Sequence, residues 1–254
     1  MISRYEAYMD GIALSSIDPA VCVLDIKPGE IRPQYNTSRV ARRDGAVVDD
    51  TYYEKTGVDV VFEIHEYDTV KRQAINQRIQ AWAKKGVLTV SDRPGQRLVC
   101  VCEKLPVANA KAWTEPITMT FAGYNPPYWE ELNAVSITLS GASGSSNVYI
   151  PGNADKAYVL ADITFSGETA NVVMTVGKTS ITLSGLSVSS GDHVYIGYDS
   201  HGHIYIRKNT SSIMDLRTPA SSDDLVAECG KINTFAVSAS ASVSITYTVR
   251  GCWL

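Results

Sequence analysis

Three of the four histidines, His193, His201 and His203, fall within eleven residues, and His201-Gly202-His203 has a spacing that can chelate a divalent metal. No cysteine or carboxylate cluster completes that set nearby, and both residues flank a hairpin turn, so they read as surface groups. Cys100 and Cys102 sit at strand spacing and share one face, but no second Cys or His pair lies near them. Cys22, Cys100 and Cys102 are therefore read as small buried apolar residues in reducing surroundings. Serines are abundant, yet none occupies a Gly-x-Ser-x-Gly elbow, and no base is marked out beside one. Asp223-Asp224 and Glu130-Glu131 are adjacent carboxylates in turn-like settings, and nothing selects a pair at the separation that sugar hydrolysis needs. There is no phosphate-binding glycine loop. No catalytic residues, cofactor or metal are expected.

Two sets remain that suit binding. Arg39, Arg42 and Arg43 form the densest basic cluster, followed at once by Asp44, Asp49, Asp50 and Glu54. Mixed charge of this kind suits a solvated loop or a protein contact better than sequence-specific nucleic-acid binding. The second set is aromatic: Tyr149, Tyr158, Tyr195, Tyr198, Tyr205 and Trp253, positioned to meet a carbohydrate or a partner, or to line the core.

The elements that must carry these residues fall into two halves. The chain has 254 residues, 44% hydrophobic and 20% charged, with a net charge of −4, enough to bury a core and without a general pull towards nucleic acid or anionic membrane. No apolar run is long enough to span a bilayer, and the N-terminus lacks a secretory layout, so folding in a cytoplasm is expected. Residues 1–130 hold most of the charge; residues 131–254 are rich in Ser, Thr, Gly and Val. The change follows Tyr124-Asn125-Pro126-Pro127-Tyr128, where paired prolines stiffen the chain.

In the first half, Val21–Ile26 predicts a strand, and Val58, Val60, Phe62 and Ile64 predict a half-buried one. Val70, Ala74, Ile75, Ile79 and Trp82 recur at helical spacing, with Asp68 or Thr69 as cap, Lys84 and Lys85 at the negative end and Gly86 as a left-handed stop. Val87–Val90 and Arg97–Glu103 follow as strands joined by a hairpin loop, and Ile117, Met119 and Phe121 mark another. Between the first two strands lies a polar stretch, about 33–55, unusually long for a compact domain, with a hairpin tip at Arg43-Asp44-Gly45-Ala46. The second half alternates repeatedly: Val135–Leu139, Val159–Phe165, Val172–Val176, Ile181–Leu183, Val194–Tyr198, His203–Arg207 and Val243–Val249. Short strands with Gly, Asn and Ser turns indicate an antiparallel β-sandwich.

This order of elements resembles the distal tail proteins of siphophages, the phages with long non-contractile tails. The likeness covers nearly the whole chain. It rests on Arg42-Arg43-Asp44-Gly45, the strand through Phe62, the helix through Trp82, Asp92-Arg93-Pro94-Gly95 and Tyr124-Asn125-Pro126-Pro127-Tyr128. In the second half it rests on Val148–Asn153, Ser190–Ile196, Cys229–Asn233 and Val243–Tyr247.

The resemblance implies a mainly β fold, a split barrel with one α-helix (1–130) followed by a galectin- or carbohydrate-binding-module-like sandwich (131–254). It implies a non-catalytic homo-hexameric ring at the virion tail tip, assembled in the host cytoplasm. The ring would join the tail tube and the tail-associated lysin to the receptor-binding protein. A long hairpin would belt the neighbouring subunit; residues 33–55 fall there, with Gln34, Tyr35, Asn36, Arg39, Arg42, Arg43, Asp44, Asp49 and Asp50 at the subunit interface. Adsorption to the host surface through a carbohydrate-binding module is the alternative, with Tyr149, Tyr195, Tyr198, Tyr205 and Trp253 as contacts; a cell-wall hydrolase is a third reading for which no catalytic set is present.

Overall fold

The computed structural model describes residues 4–38, 47–108, 115–199 and 201–254. The chain forms two compact units: unit 1 holds residues 1–129 with Leu254, and unit 2 holds 130–253. It is mainly β with one α-helix.

Unit 1 contains β1 (Ala7–Met9), β2 (Ile12–Ala13), β3 (Val21–Ser38), β4 (Val47–Ile64), α1 (Thr69–Trp82), β5 (Gly86–Val90), β6 (Gln96–Lys104) and β7 (Ile117–Gly123). The chain crosses into unit 2 within β8 (Trp129–Glu131). The sheet runs β2-β1-β5-β6-β7-β4-β3 with antiparallel neighbours, and among the described residues its two ends do not pair with each other, the arrangement of a split barrel. Val58, Val60, Phe62 and Ile64 point inward, as period two requires, and meet Met119, Phe121 and Leu98 in the core. Val61, on the opposite face, is buried as well, so β4 is covered on both sides here rather than half-buried as its pattern suggests.

Helix α1 starts where expected. The Asp68 carboxylate accepts from the N–H of Val70 (2.8 Å) and Lys71 (3.3 Å), two donors that no helical turn precedes. The buried face, however, coincides with the apolar stripe only at Ile75 and Ile79, with Trp82 packed at the helix end. Val70 is 74% exposed and Ala74 lies outside too, while Arg72, Ile75, Asn76, Ile79 and the following Ala83 face inward. Those positions are spaced i, i+3, i+4, i+7 and i+11, so the inward arc is set by helix geometry, and the long Arg72 stem fills space there as an apolar chain would. Asn76 stays in this arc by donating from Nδ2 to the Pro106 carbonyl at 3.3 Å. Trp82 closes the helix with its ring edge-on to Phe121 at 6.1 Å and its indole N–H on the Ile12 carbonyl at 2.8 Å. Gly86 is not the helix stop. It opens β5, where a Cβ would lie 2.5 Å from the Asp10 carboxylate, so the glycine admits β1 at close range. Lys84 and Lys85 lie beyond the last helical turn. Cys100 is buried, but Cys22 and Cys102 are only half-buried, because each shares its strand with a face that remains partly open.

Where it is described, the polar stretch is strand. β3 and β4 are 18 residues each and pair along their length, from Val21↔Ile64 to Ser38↔Val47. Cross-strand backbone bonding needs no apolar face, so hydrophobic periodicity stopped short of it.

Unit 2 contains β9 (Val135–Ile150), β10 (Ala157–Phe165), β11 (Asn171–Val176), β12 (Thr179–Ser184), β13 (His193–Tyr198), β14 (Ile204–Lys208), β15 (Ser211–Ser212), β16 (Val226–Ala227), β17 (Lys231–Val249) and β18 (Cys252–Trp253). The order is β12-β11-β17-β10-β13-β14-β15, with β9 laid along β17. β17 serves two layers. Its first part pairs with β11 (Val176↔Phe235 to Val172↔Ala239), and its last part with β10 (Phe165↔Val243 to Val159↔Val249). The register against β9 shifts between Ser238 and Val243, opposite Gly141, whose φ of 118° is glycine backbone. There the strand folds over itself: the Phe235 and Tyr247 rings meet at a tilt with centroids 5.4 Å apart, and the Tyr247 hydroxyl donates to the Ala236 carbonyl at 2.5 Å. A single strand thus supplies both walls of the sandwich core, which Ile163, Phe165, Met174, Leu183, Ile196 and Ile206 fill.

Tyr247→Phe removes this hydroxyl bond across the bend while keeping the ring. We expect a loss of about 1 kcal/mol, the cost of one part-buried hydrogen bond, measurable as a lower midpoint in chemical denaturation.

Candidate assembly arm and aromatic surface

Beyond its pairing with β7, which ends at Thr56↔Gly123, the β3–β4 hairpin continues as a two-stranded ribbon, with pairs Ile31↔Thr56, Pro33↔Tyr53, Gln34↔Tyr52, Tyr35↔Thr51, Asn36↔Asp50, Thr37↔Val48 and Ser38↔Val47. At strand rise this arm extends roughly 25 Å past the sheet. Among the described residues, its outer part pairs only with itself. The sequence suits this. β3 is the sheet edge, so Pro28 and Pro33 cost no ladder bond inside the barrel, and they blunt an edge that would otherwise recruit strands.

The arm is held firmly at its base. Lys55 Nζ lies 2.8 Å from both carboxylate oxygens of Glu103, and the Tyr124 hydroxyl donates to the same carboxylate. That hydrogen bond to an acceptor pushes the Tyr124 phenol above its usual value. The buried Thr56 hydroxyl donates to the Pro127 carbonyl at 2.5 Å, and Tyr53 meets Tyr128 edge-to-face at 6.1 Å. Gly29 marks the crossing point: a Cβ there would lie 2.4 Å from the Gly57 carbonyl carbon. The register shifts between Pro28 and Ile31 at this position.

Of the residues expected at a subunit interface, Gln34 donates to Glu54 at 3.2 Å, and Tyr35 is 58% exposed. Asn36 and Asp50 are register partners, and Asp49 lies beside them in β4. Arg39, Arg42, Arg43 and Asp44 lie outside the described residues. Tyr52, 51% exposed opposite Gln34, and Ile31, 38% exposed, were not singled out from sequence. Directly opposed residues share a ribbon face, so Tyr52 lies on one face and Tyr35, opposite Thr51, on the other. The hairpin tip expected at residues 43–46 lies outside the described residues.

The aromatic set in unit 2 divides. Tyr195 and Tyr205 come together on β13 and β14, with ring centroids 5.9 Å apart. Both rings lie over Gly197, where a Cβ would meet each at 2.7 Å. Arg207 stacks on Tyr205 at 4.6 Å, and Asp162, the register partner of Tyr195, contacts His193 Nδ1 at 3.3 Å. Burial, with Tyr205 alongside, pushes the Tyr195 phenol up. Tyr198 instead serves the fold: its hydroxyl donates to the Leu225 carbonyl (3.0 Å) and accepts from the Leu225 N–H (2.9 Å), and its ring lies 4.8 Å from Tyr158. Trp253 donates to Glu131 at 3.0 Å. Tyr149 is exposed opposite a still more exposed Ile232 on the β9–β17 ladder. His201 and His203 stand exposed on their turn, where the Asp199 carboxylate accepts from both backbone N–H groups (2.8 and 2.9 Å). Among the described residues no group of three His, Cys, Asp or Glu is placed to hold a metal ion.

No protein-family model matches the chain, and no curated protein matches it in sequence. In structure it is similar to the crystal structure of the Dit protein of phage SPP1, described as a paradigm of the hub adsorption apparatus in phages infecting Gram-positive bacteria. The TM-score is 0.65 at 14% identity, over 97% of this chain and 98% of that one. Chains of the phage P2 baseplate in its activated conformation, with calcium or strontium, align at a TM-score of 0.45 and 9% identity. The chain therefore has the fold of the SPP1 Dit protein across both units.

Gly29→Val forces side-chain atoms into the Gly57 backbone. We expect a destabilisation of about 1–3 kcal/mol, read by calorimetry, and increased proteolysis of the arm. Gly167→Ala, with open space around its Cβ, is the control and should change little.

Proposed function

We propose that this protein is a non-catalytic structural hub at the distal end of a long phage tail, where six copies close a ring. In this reading unit 1 forms the ring and its arm belts the adjacent copy. The ring joins the tail tube on one side to the tail-associated lysin and receptor-binding protein on the other. It sits at the virion tail tip and is assembled in the host cytoplasm.

The observation that carries the reading is the arm. A self-paired ribbon is anchored at its root by Lys55–Glu103, Thr56–Pro127 and Tyr53–Tyr128, yet presents Tyr35 and Tyr52 to solvent on opposite faces. A rigid root preorganises the limb, so docking costs little ordering entropy, and exposed tyrosines are favoured contact residues. A closed ring needs two different patches meeting head to tail, and an arm reaching from one subunit to the next supplies such a heterologous contact. The shared fold with the SPP1 Dit protein supports the same reading.

A second reading has its own observation. The Tyr195–Tyr205 pair over Gly197, flanked by Asp162, His193 and Arg207, offers an aromatic face with hydrogen-bonding groups at its margin, the chemistry that recognises a sugar ring. Here unit 2 acts as a carbohydrate-binding module for host-surface adsorption.

Light scattering on the purified protein should give a mass six times the 27.6 kDa chain. Deleting Thr37–Asp50 should leave both units folded and reduce that mass; full-size rings from the deletion variant would remove the belt assignment. On a glycan array, binding that is lost in Tyr195→Ala and Tyr205→Ala would support the second reading, and signal no higher than background for the wild type would end it.

A further inference from the structure

Cys229 and Cys252 meet inside unit 2 and take no part in either reading above. Cys229 precedes β17 and Cys252 opens β18; they are 8% and 3% exposed. Backbone contacts draw their two segments onto the end of β9. The Gly230 N–H donates to the Ile150 carbonyl at 2.8 Å, and the Cys252 carbonyl accepts from Asn153 (3.0 Å) and Ala154 (3.1 Å). Gly152 bridges to Cys252, and a Cβ on Gly152 would lie 2.1 Å from the Cys252 carbonyl oxygen. On Gly230 it would lie 3.0 Å from the Gly152 oxygen. Glycines at both positions let the three segments close up and bring the thiols into hydrogen-bonding contact.

The two thiols are unequal. Contact with the Cys252 side chain, and a hydrogen bond from the Cys252 backbone N–H, hold Cys229 below its usual value, whereas the contact with Cys229 and burial push Cys252 up; the Cys252 Sγ also lies 3.5 Å from the Arg250 carbonyl oxygen. Cys229 is therefore the better nucleophile, with a second sulfur already in place to resolve what it forms. The cysteines of unit 1 lack this arrangement: burial pushes Cys100 up to about 12, and Cys102 is raised as well.

We propose that Cys229 and Cys252 are a cross-linking pair that closes to a disulfide on exposure to hydrogen peroxide. The Cys229 thiolate attacks one peroxide oxygen, the O–O bond breaks, and the departing hydroxide takes a proton and leaves as water. Cys229 is then a sulfenic acid. The Cys252 sulfur attacks the Cys229 sulfur, the S–S bond forms and the S–O bond breaks. The second hydroxide departs with the Cys252 proton as water. Two thiols lose two electrons, and one peroxide is reduced to two waters. The product ties β18 to the start of β17, enclosing that strand in a covalent loop. A small oxidant suits a site this buried. The cross-link is a property of the isolated chain and does not rest on the hub reading.

The test is a peptide map of the full-length protein, purified under reductant, treated with hydrogen peroxide and blocked with iodoacetamide. The expected product is a reductant-sensitive peptide joining Cys229 to Cys252, about 2 Da lighter than the two free peptides together, with Cys22 alkylated. In Cys252→Ser, dimedone should trap the sulfenic acid at Cys229, and Cys229→Ser should form no cross-link. Oxidation should also raise the melting temperature of the wild type by several degrees and leave Cys252→Ser unchanged. Alkylation of both thiols after peroxide, over-oxidation of wild-type Cys229 without a cross-link, or pairing of either residue with another cysteine would overturn the assignment. The wild-type map decides this even if a variant does not fold.

Discussion

Each unit is built around one antiparallel strand pair that is longer than the core it serves: β3 with β4, and β9 with β17. The backbone ladder between two such strands satisfies its own donors and acceptors, so it persists where side chains no longer bury. Everything else in the architecture depends on what happens where the ladder outruns the core. In unit 2 the pair bends at Gly141 and Ser238–Val243 and folds back, so that Phe235 faces Tyr247 and the excess length becomes the second wall of a sandwich. In unit 1 the pair continues, and the excess length becomes an arm.

The arm's root determines whether it can act as a limb. A two-stranded ribbon is marginal in water by itself. Here it inherits order from the barrel through contacts that converge within four residues of β4, Tyr53 to Thr56, on Glu103, Pro127 and Tyr128. The Gly29–Gly57 approach lets the strands cross at a separation that no side chain would permit. Prolines on the edge strand limit pairing with the wrong partner. These features together suit a subunit that must stay soluble before assembly and grip a neighbour afterwards.

The aromatic residues of unit 2 show why a set read from sequence splits in three dimensions. Tyr195 and Tyr205 lie ten residues apart on neighbouring strands, and Gly197, two residues on from Tyr195 and the register partner of Tyr205, leaves room for their rings to converge on the outer face. Tyr198, three residues on from Tyr195, turns towards Leu225 and spends its hydroxyl on a backbone donor and acceptor. Trp253 is held by Glu131, and Tyr149 stands opposite Ile232. Residue type was a sound guide to capacity and a poor one to company.

Alternation at period two is local chemistry, and the residues of β4, β7, β10, β11 and the end of β17 announce it without help from the rest of the chain. The Asp68 cap and the helix it opens were legible because they too are local chemistry. Only tertiary structure decided the helix face, because burial follows the arc turned to the sheet, and Arg72 and Asn76 lie on that arc while Val70 does not. Hydrophobic periodicity did not mark the polar stretch as strand, where the resemblance alone implied a hairpin, since its cohesion comes from backbone bonds that side-chain patterns do not record. The meeting of Cys229 with Cys252 belongs to the same class: the two lie at opposite ends of β17, and that strand's doubling back is what brings them together.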